Sequence, residues 1–340
     1  MDPTLRKAKL GLFLLLICVI IVLLFHIGIG SYLWISPMEV LFELLHGNQE
    51  KDGLLYTVIW KIRLPRALGC ILGGGLLGGV GSVFQALFRN PLADPYVLGV
   101  SSGAAMGGTL VILLGYGSAF GGLAMVATSL LTGMISLGII IGISSRNGFL
   151  NISTLLLAGI VMGSFQSGII TTFLLLAGED FNHVFRWLMG STTPMFWNHL
   201  GLMAITLIAG GILLLYQTRA LNVFSVGESS AKRLGIPTSR VKGIVLIAGT
   251  AMTAVVVGCM GILGFIGLVA PHISRRILKV DLRFSFLGSI LVGSFLLLGA
   301  DLVAQRLFSP VELPVGVVTT ILGAPVLIHL LRKKEASLSP

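Results

Sequence analysis

Apolar runs of about twenty residues repeat along the whole chain, separated by short stretches in which arginine, lysine, proline and glycine collect. The clearest run follows Arg66: the next charged side chain is Arg89, and the 22 residues between them carry none. A helix rises about 1.5 Å per residue and needs about 20 residues to cross hydrocarbon, so this stretch predicts a membrane span over Leu68–Phe88. The same pattern predicts spans at Leu10–Gly30, Tyr96–Leu114, Phe120–Ser144, Ser153–Ala177, Trp197–Tyr216, Ile244–Leu263, Phe265–Leu278, Phe284–Phe308 and Pro314–Leu331. The short Phe265–Leu278 run is expected to bend or break at Pro271. The fold class expected is all-α, a polytopic membrane protein with ten transmembrane helices in one domain over residues 1–340.

Three polar pieces fall between the spans. In SPMEVLFELLHG, Ser36 and Glu39 form a capping box, Pro37 suits the first helical position and Gly47 the end, which predicts a short amphipathic surface helix. Asp180 and Gly190 bracket a second short helix carrying Arg186 and Trp187. Residues 219–242 hold a third, SVGESSAKRLGIP, stopped by Gly235, with Val226, Ala231 and Leu234 expected on one face and Glu228, Lys232 and Arg233 beside it. A compact helix held between two spans can seat in a groove of a soluble partner and transmit its motion.

The glycines of the Leu68–Phe88 span change the picture of packing. Gly69 and Gly73, Gly74 and Gly78, and Gly75 and Gly79 are each four apart, so they stack on adjoining faces and let a neighbouring helix approach closely.

Composition agrees with a membrane protein: 55% of residues are apolar and 11% charged. The net charge of +10 comes in short clusters between apolar runs, which argues for an anionic lipid surface and against nucleic acid. With the N-terminus inside, 17 of the 23 basic residues face inward and 6 outward, so both termini are expected in the cytoplasm. His26, near the far end of the first span, is expected at the interface or packed against neighbours. Cys18, Cys70 and Cys259 lie in apolar runs without metal-ligand spacing, so neither a metal site nor a disulfide framework is expected.

Candidate chemistry is sparse. Asp301 is the one acid within a span, toward its outer end, which disfavours coupling to protons or sodium. No lysine follows a glycine, so the phosphate-binding loop of a nucleotide engine is absent. Uphill transport by this chain therefore needs energy from another subunit, and an ion-coupled secondary transporter is the alternative. GVSSG, Gly99–Gly103, satisfies GxSxG with His272 as a candidate base, but it opens a membrane helix, where Ser101 and Ser102 are expected to bond back to their own backbone.

Several strings resemble one family, the permeases of bacterial ABC importers for iron-siderophores, haem and cobalamin. They are RLPR at Arg63–Arg66, QALFRNPLADPYVLGVSSGA at Gln85–Ala104, LLLAG at Leu155–Gly159, WLMGS at Trp187–Ser191, GESSAKRLG at Gly227–Gly235, GFIGLVAPHISR at Gly264–Arg275 and ELPVGVVTTILGAPVLIHLL at Glu312–Leu331. The resemblance implies a multi-pass protein of the bacterial inner membrane that pairs with a second permease copy or paralogue. Two ATPase subunits carrying ATP-Mg would dock inside, an extracytoplasmic binding protein would deliver ligand outside, and no cofactor would be bound by this chain. By position it makes Glu228, Ala231, Leu234 and Gly235 the ATPase-coupling helix and Asn90, Leu92, Ile152, Ser153 and Thr154 the inner gate. Arg63, Arg66 and Arg306 would dock the binding protein. Many relatives carry an arginine four residues after the aspartate matching Asp301, whereas here Gln305 stands there and the arginine is Arg306, a shift of about 100° around a helix.

Overall fold

A computed structural model describes residues 3–30, 34–46, 53–146, 149–224, 227–278 and 281–336. Lys51, Val226, Lys279 and the helix end at Gly47 lie outside the described residues. The chain folds as α1 (Pro3–Gly28), α2 (Pro37–His46), α3 (Leu54–Tyr56), a π-helical stretch (Thr57–Arg63), α4 (Leu64–Phe88), α5 (Val100–Leu113) and α6 (Leu123–Ser144). A hairpin of β1 (Ser145–Arg146) and β2 (Phe149–Leu150) leads to α7 (Ile152–Leu176), α8 (Phe181–Leu188), α9 (Trp197–Phe224) and α10 (Glu228–Arg233). The remainder is α11 (Thr238–Met260), α12 (Ile266–Leu278), α13 (Leu282–Arg306) and α14 (Val315–Ala336).

Seven helical stretches among the described residues are long and apolar enough to cross a membrane, and Val100–Leu113 and Val315–Ile328 are shorter apolar helices. With α12 they occupy the positions of the expected spans. Several boundaries differ from expectation: α1 begins at Pro3 where Leu10 was expected, and α9 runs on to Phe224 where Tyr216 was expected. The second span begins as early as Leu54, because helix continues through the π stretch into α4. Pro65 has no N–H to bond Lys61, and its ring crowds that carbonyl; the wider turn, closed from the Leu64 N–H to the Ile59 carbonyl, takes up the mismatch. The third span splits at Gly99 (φ +69°) into a 3₁₀ turn over Pro95–Leu98 and the 14-residue α5. At about 21 Å, α5 alone falls short of the roughly 30 Å hydrocarbon layer. Of the two outcomes expected at Pro271, a break does not occur: α12 remains helical through it.

The expected capping box forms: Ser36 Oγ accepts from the Glu39 N–H at 3.2 Å, and the Ser36 N–H donates to Glu39 Oε2 at 2.9 Å. At the centre of the bundle α4 lies along α13 and is buried along almost its whole length. Gly74 and Gly78 face the backbone carbonyls of Gly293 and Ser289 at a separation that leaves no room for a Cβ. Gly69 and Gly73 meet the ends of Met195 and Met260, and Gly75 and Gly79 rest on Ile290. Thus the six glycines serve several neighbours, and two of them set the α4–α13 distance.

Candidate functional site

Sequence placed candidate residues at both ends of the bundle. At the end rich in basic residues, α10 is a single short helix whose Ala231 is fully buried while Leu234 is 71% exposed. These two residues therefore do not share a face: Ala231 is buried in α10, which packs against α9, and Leu234 is exposed with Lys232 and Arg233. Gly235 takes φ +75° and closes the helix.

Glu228, the first residue of α10, accepts from Lys242 Nζ at 2.8 Å and lies 3.5 Å from Lys232 Nζ. Lys242 is 3% exposed and also donates to the Leu150 carbonyl at 3.0 Å. Partial burial pushes the Glu228 carboxyl up, but the hydrogen bond and charge of Lys242 outweigh it and hold the group below its ordinary value of 4.5. A lowered carboxyl stabilises the folded state fully above its unfolded value and loses that contribution as pH falls toward its folded one. The protection of amides 228–234, measured against the intrinsic exchange rate at each pH, is therefore expected to fall as pH drops below about 4.5, and in Glu228→Gln this acid-dependent step should be missing.

The gate candidates lie at the same end. Asn90 Oδ1 accepts from the Leu92 N–H at 3.0 Å, a turn that reverses the chain after α4. Asn151 caps α7, its Oδ1 accepting from the N–H groups of Ser153 and Thr154 at 3.0 and 3.2 Å. Ser153 and Thr154 are exposed and Ile152 is half-buried. The backbone at Leu98 and Gly99 packs directly on Gly159 of α7, so the turn leading into α5 and the first turns of α7 meet at a contact of glycines.

The opposite end holds a buried charge network that motif reading did not assemble. Asp301, 0% exposed, receives Arg66 through Nε at 2.8 Å and Nη2 at 3.0 Å. Thr192 Oγ1 donates to it at 2.6 Å, His26 Nε2 at 2.7 Å and Gln305 Nε2 at 2.8 Å. Arg66 Nη1 reaches on to Glu312 at 2.8 Å. An ionised pair inside a bundle is sustained when its remaining donors and acceptors are filled, and here both Asp301 oxygens are. Arg66, Thr192 and Glu312 line a cavity of about 600 Å³ together with Arg186, Ser191 and Thr193.

Arg63 and Arg66, expected as outward docking charges, are instead 8% and 7% exposed. Arg63 Nη1 donates to the carbonyls of Ile27 and Gly28 at 2.8 and 3.0 Å. Both sit in continuous helix that turns them inward, whereas a loop would have left them at the rim. Arg306 is exposed, and Gln305 points inward, as the one-residue shift requires. His26 packs into the network, away from the interface. Ser101 Oγ is buried and, among the described residues, makes no hydrogen bond, so the expected bond to its own helix does not form. The signals for the network were present: a single acid in a span, with Gln305 one turn later on the same face.

The model of the FecCD transport family matches residues 16–333. The vitamin B12 import system permease protein BtuC of Klebsiella pneumoniae is 36% identical over 331 residues, covering 97% of this chain and 96% of that one. The uncharacterized ABC transporter permease protein YvrB of Bacillus subtilis is 36% identical over 292 residues, covering 85% and 83%. An inward-facing structure described as a metal-chelate type ABC transporter superimposes with a TM-score of 0.82 at 28% identity, covering 96% of this chain and 99% of that one. A match over nearly the whole chain, in sequence and in fold, shows that this multi-pass protein of the bacterial cell membrane belongs to the FecCD transport family of ABC importer permeases.

Proposed function

We propose that this chain is the conduit of an ATP-driven importer for a metal chelate, with iron-siderophore as the first cargo and haem or cobalamin behind it. Two permease copies, or this chain and a paralogue, form the path. Two ATPase subunits hold ATP-Mg and seat the segment around Glu228–Gly235 in the cytoplasm, and an extracytoplasmic binding protein feeds the opposite end. The observation that supports the cargo is the cavity of about 600 Å³ at that end. Its volume falls in the range of small-molecule sites. In its lining Arg66 is matched by Asp301 and Glu312, while Arg186 with the hydroxyls of Ser191 and Thr193 supplies donors suited to the oxygen-rich, anionic surface of a ferric chelate.

The test is uptake into proteoliposomes holding the complete importer, with labelled ferric siderophore, haem or cobalamin outside and ATP within. Concentrative siderophore uptake that stops without ATP is the expected result. Uptake of cobalamin alone would reassign the cargo, and uphill uptake without nucleotide would favour an ion-coupled carrier. In the same assay Glu228→Arg places a third cation beside Lys232 and Lys242 and is expected to lower uptake by about tenfold or more. Unchanged uptake at equal protein amount would remove α10 from the coupling role.

A further inference from the structure

We propose that Lys242 is a positioning residue that ties the coupling helix to the inner gate, so that displacement of α10 moves the segment opening α7. This rests on the importer reading above. The Lys242 ammonium is held at two ends: Glu228 Oε2 on α10 at 2.8 Å and the Leu150 carbonyl at 3.0 Å. Leu150 closes the hairpin and immediately precedes Asn151, whose side chain caps the first turn of α7 at Ser153 and Thr154.

Geometry favours transmission over simple charge compensation. Lys232 already lies beside Glu228 from within α10, so the carboxylate does not depend on Lys242 alone for a counter-charge. What Lys242 adds is reach: from a rigid position on the first turns of α11 it bridges two segments 78 residues apart in sequence (Leu150 to Glu228). Its side chain is 4% exposed, so water competes little for its donors, and a hydrogen bond to a charged group in such a place is strong enough to drag its partner. A push on α10 is therefore passed through one ammonium to the carbonyl just before the α7 cap.

The experiment compares Lys242→Met, Lys242→Gln and Lys242→Arg with wild type in the complete importer. It reads ATP hydrolysis, chelate uptake, and the ATP-dependent change in amide exchange of residues 149–155. Lys242→Met is expected to keep hydrolysis within about twofold while uptake per ATP falls about tenfold, and to lose the exchange response at 149–155. Lys242→Arg should restore much of both. If Lys242→Met does not accumulate, Lys242→Gln, whose shorter, uncharged side chain cannot hold Leu150 and Glu228 at once, carries the same comparison. Uptake per ATP within twofold of wild type, or hydrolysis and uptake falling in parallel, would overturn the proposal. A wild-type complex that hydrolyses ATP yet concentrates no chelate would sink the cargo reading, while the exchange response to ATP would still decide for or against Lys242.

Discussion

Asp301→Asn is expected to be the most damaging single change in the bundle, costing roughly 3–5 kcal/mol, because it leaves the Arg66 guanidinium buried beside a neutral amide. The carboxylate holds together segments far apart in the chain: His26 of α1, Arg66 of α4, Thr192 beyond α8 and Gln305 of α13 all donate to it. Asparagine has one acceptor oxygen where two were used, and its amide would face donors. Glu312 can compensate Arg66 only in part, since its side chain is 35% exposed and water screens it.

The fingerprint should be a lower unfolding temperature in detergent and a smaller membrane-resident fraction, both partly rescued when Arg66→Met is added. Replacing a buried pair together removes the stranded charge that replacing one partner creates. If Asp301→Asn melts with wild type, or if the double variant is worse than the sum of the singles, the carboxylate is not what joins these helices.

How much of this was legible beforehand depends on distance along the chain. The Ser36–Glu39 capping box joins residues three apart and was readable as written. So were the long apolar helices, because length and hydropathy are local properties. The break at Gly99 was hidden: a 3₁₀ turn, a left-handed glycine and a short helix have the same apolar composition as one continuous span. The π stretch was hidden for a related reason, since Pro65 announces a disturbance but not whether the helix stops or widens. Of the network around Asp301 only Gln305, one turn later, could be read from spacing; Arg66 and His26 lie 235 and 275 residues away. Sequence marks such residues as costly in a membrane without saying what compensates them. Likewise, treating Arg63 and Arg66 as rim charges followed from their position before an apolar run, and failed because the helix begins at Leu54, about four turns ahead of the expected start at Leu68.

The α4–α13 contact gives the second large effect. Adding one methyl group, Gly78→Ala, should destabilise the bundle by about 1–3 kcal/mol or more, since the new Cβ would point into the Ser289 carbonyl and a backbone cannot step aside as a side-chain tip can. Gly74→Ala meets the Gly293 carbonyl in the same way. Within a membrane, helices gain no hydrophobic free energy by associating, so the close approach of these two backbones supplies the attraction that a methyl group would forfeit. Gly142→Ala is the matched control: that glycine is exposed on α6 with nothing within 4 Å of its added Cβ. There the better helix propensity of alanine should leave stability unchanged or raise it by up to about 1 kcal/mol. Thermal unfolding of the purified variants, followed by loss of the monodisperse elution peak, distinguishes the two classes. A Gly78→Ala protein that unfolds at the same temperature as Gly142→Ala would mean that α13 can slide away at no cost, and that the glycines of α4 do not set its position.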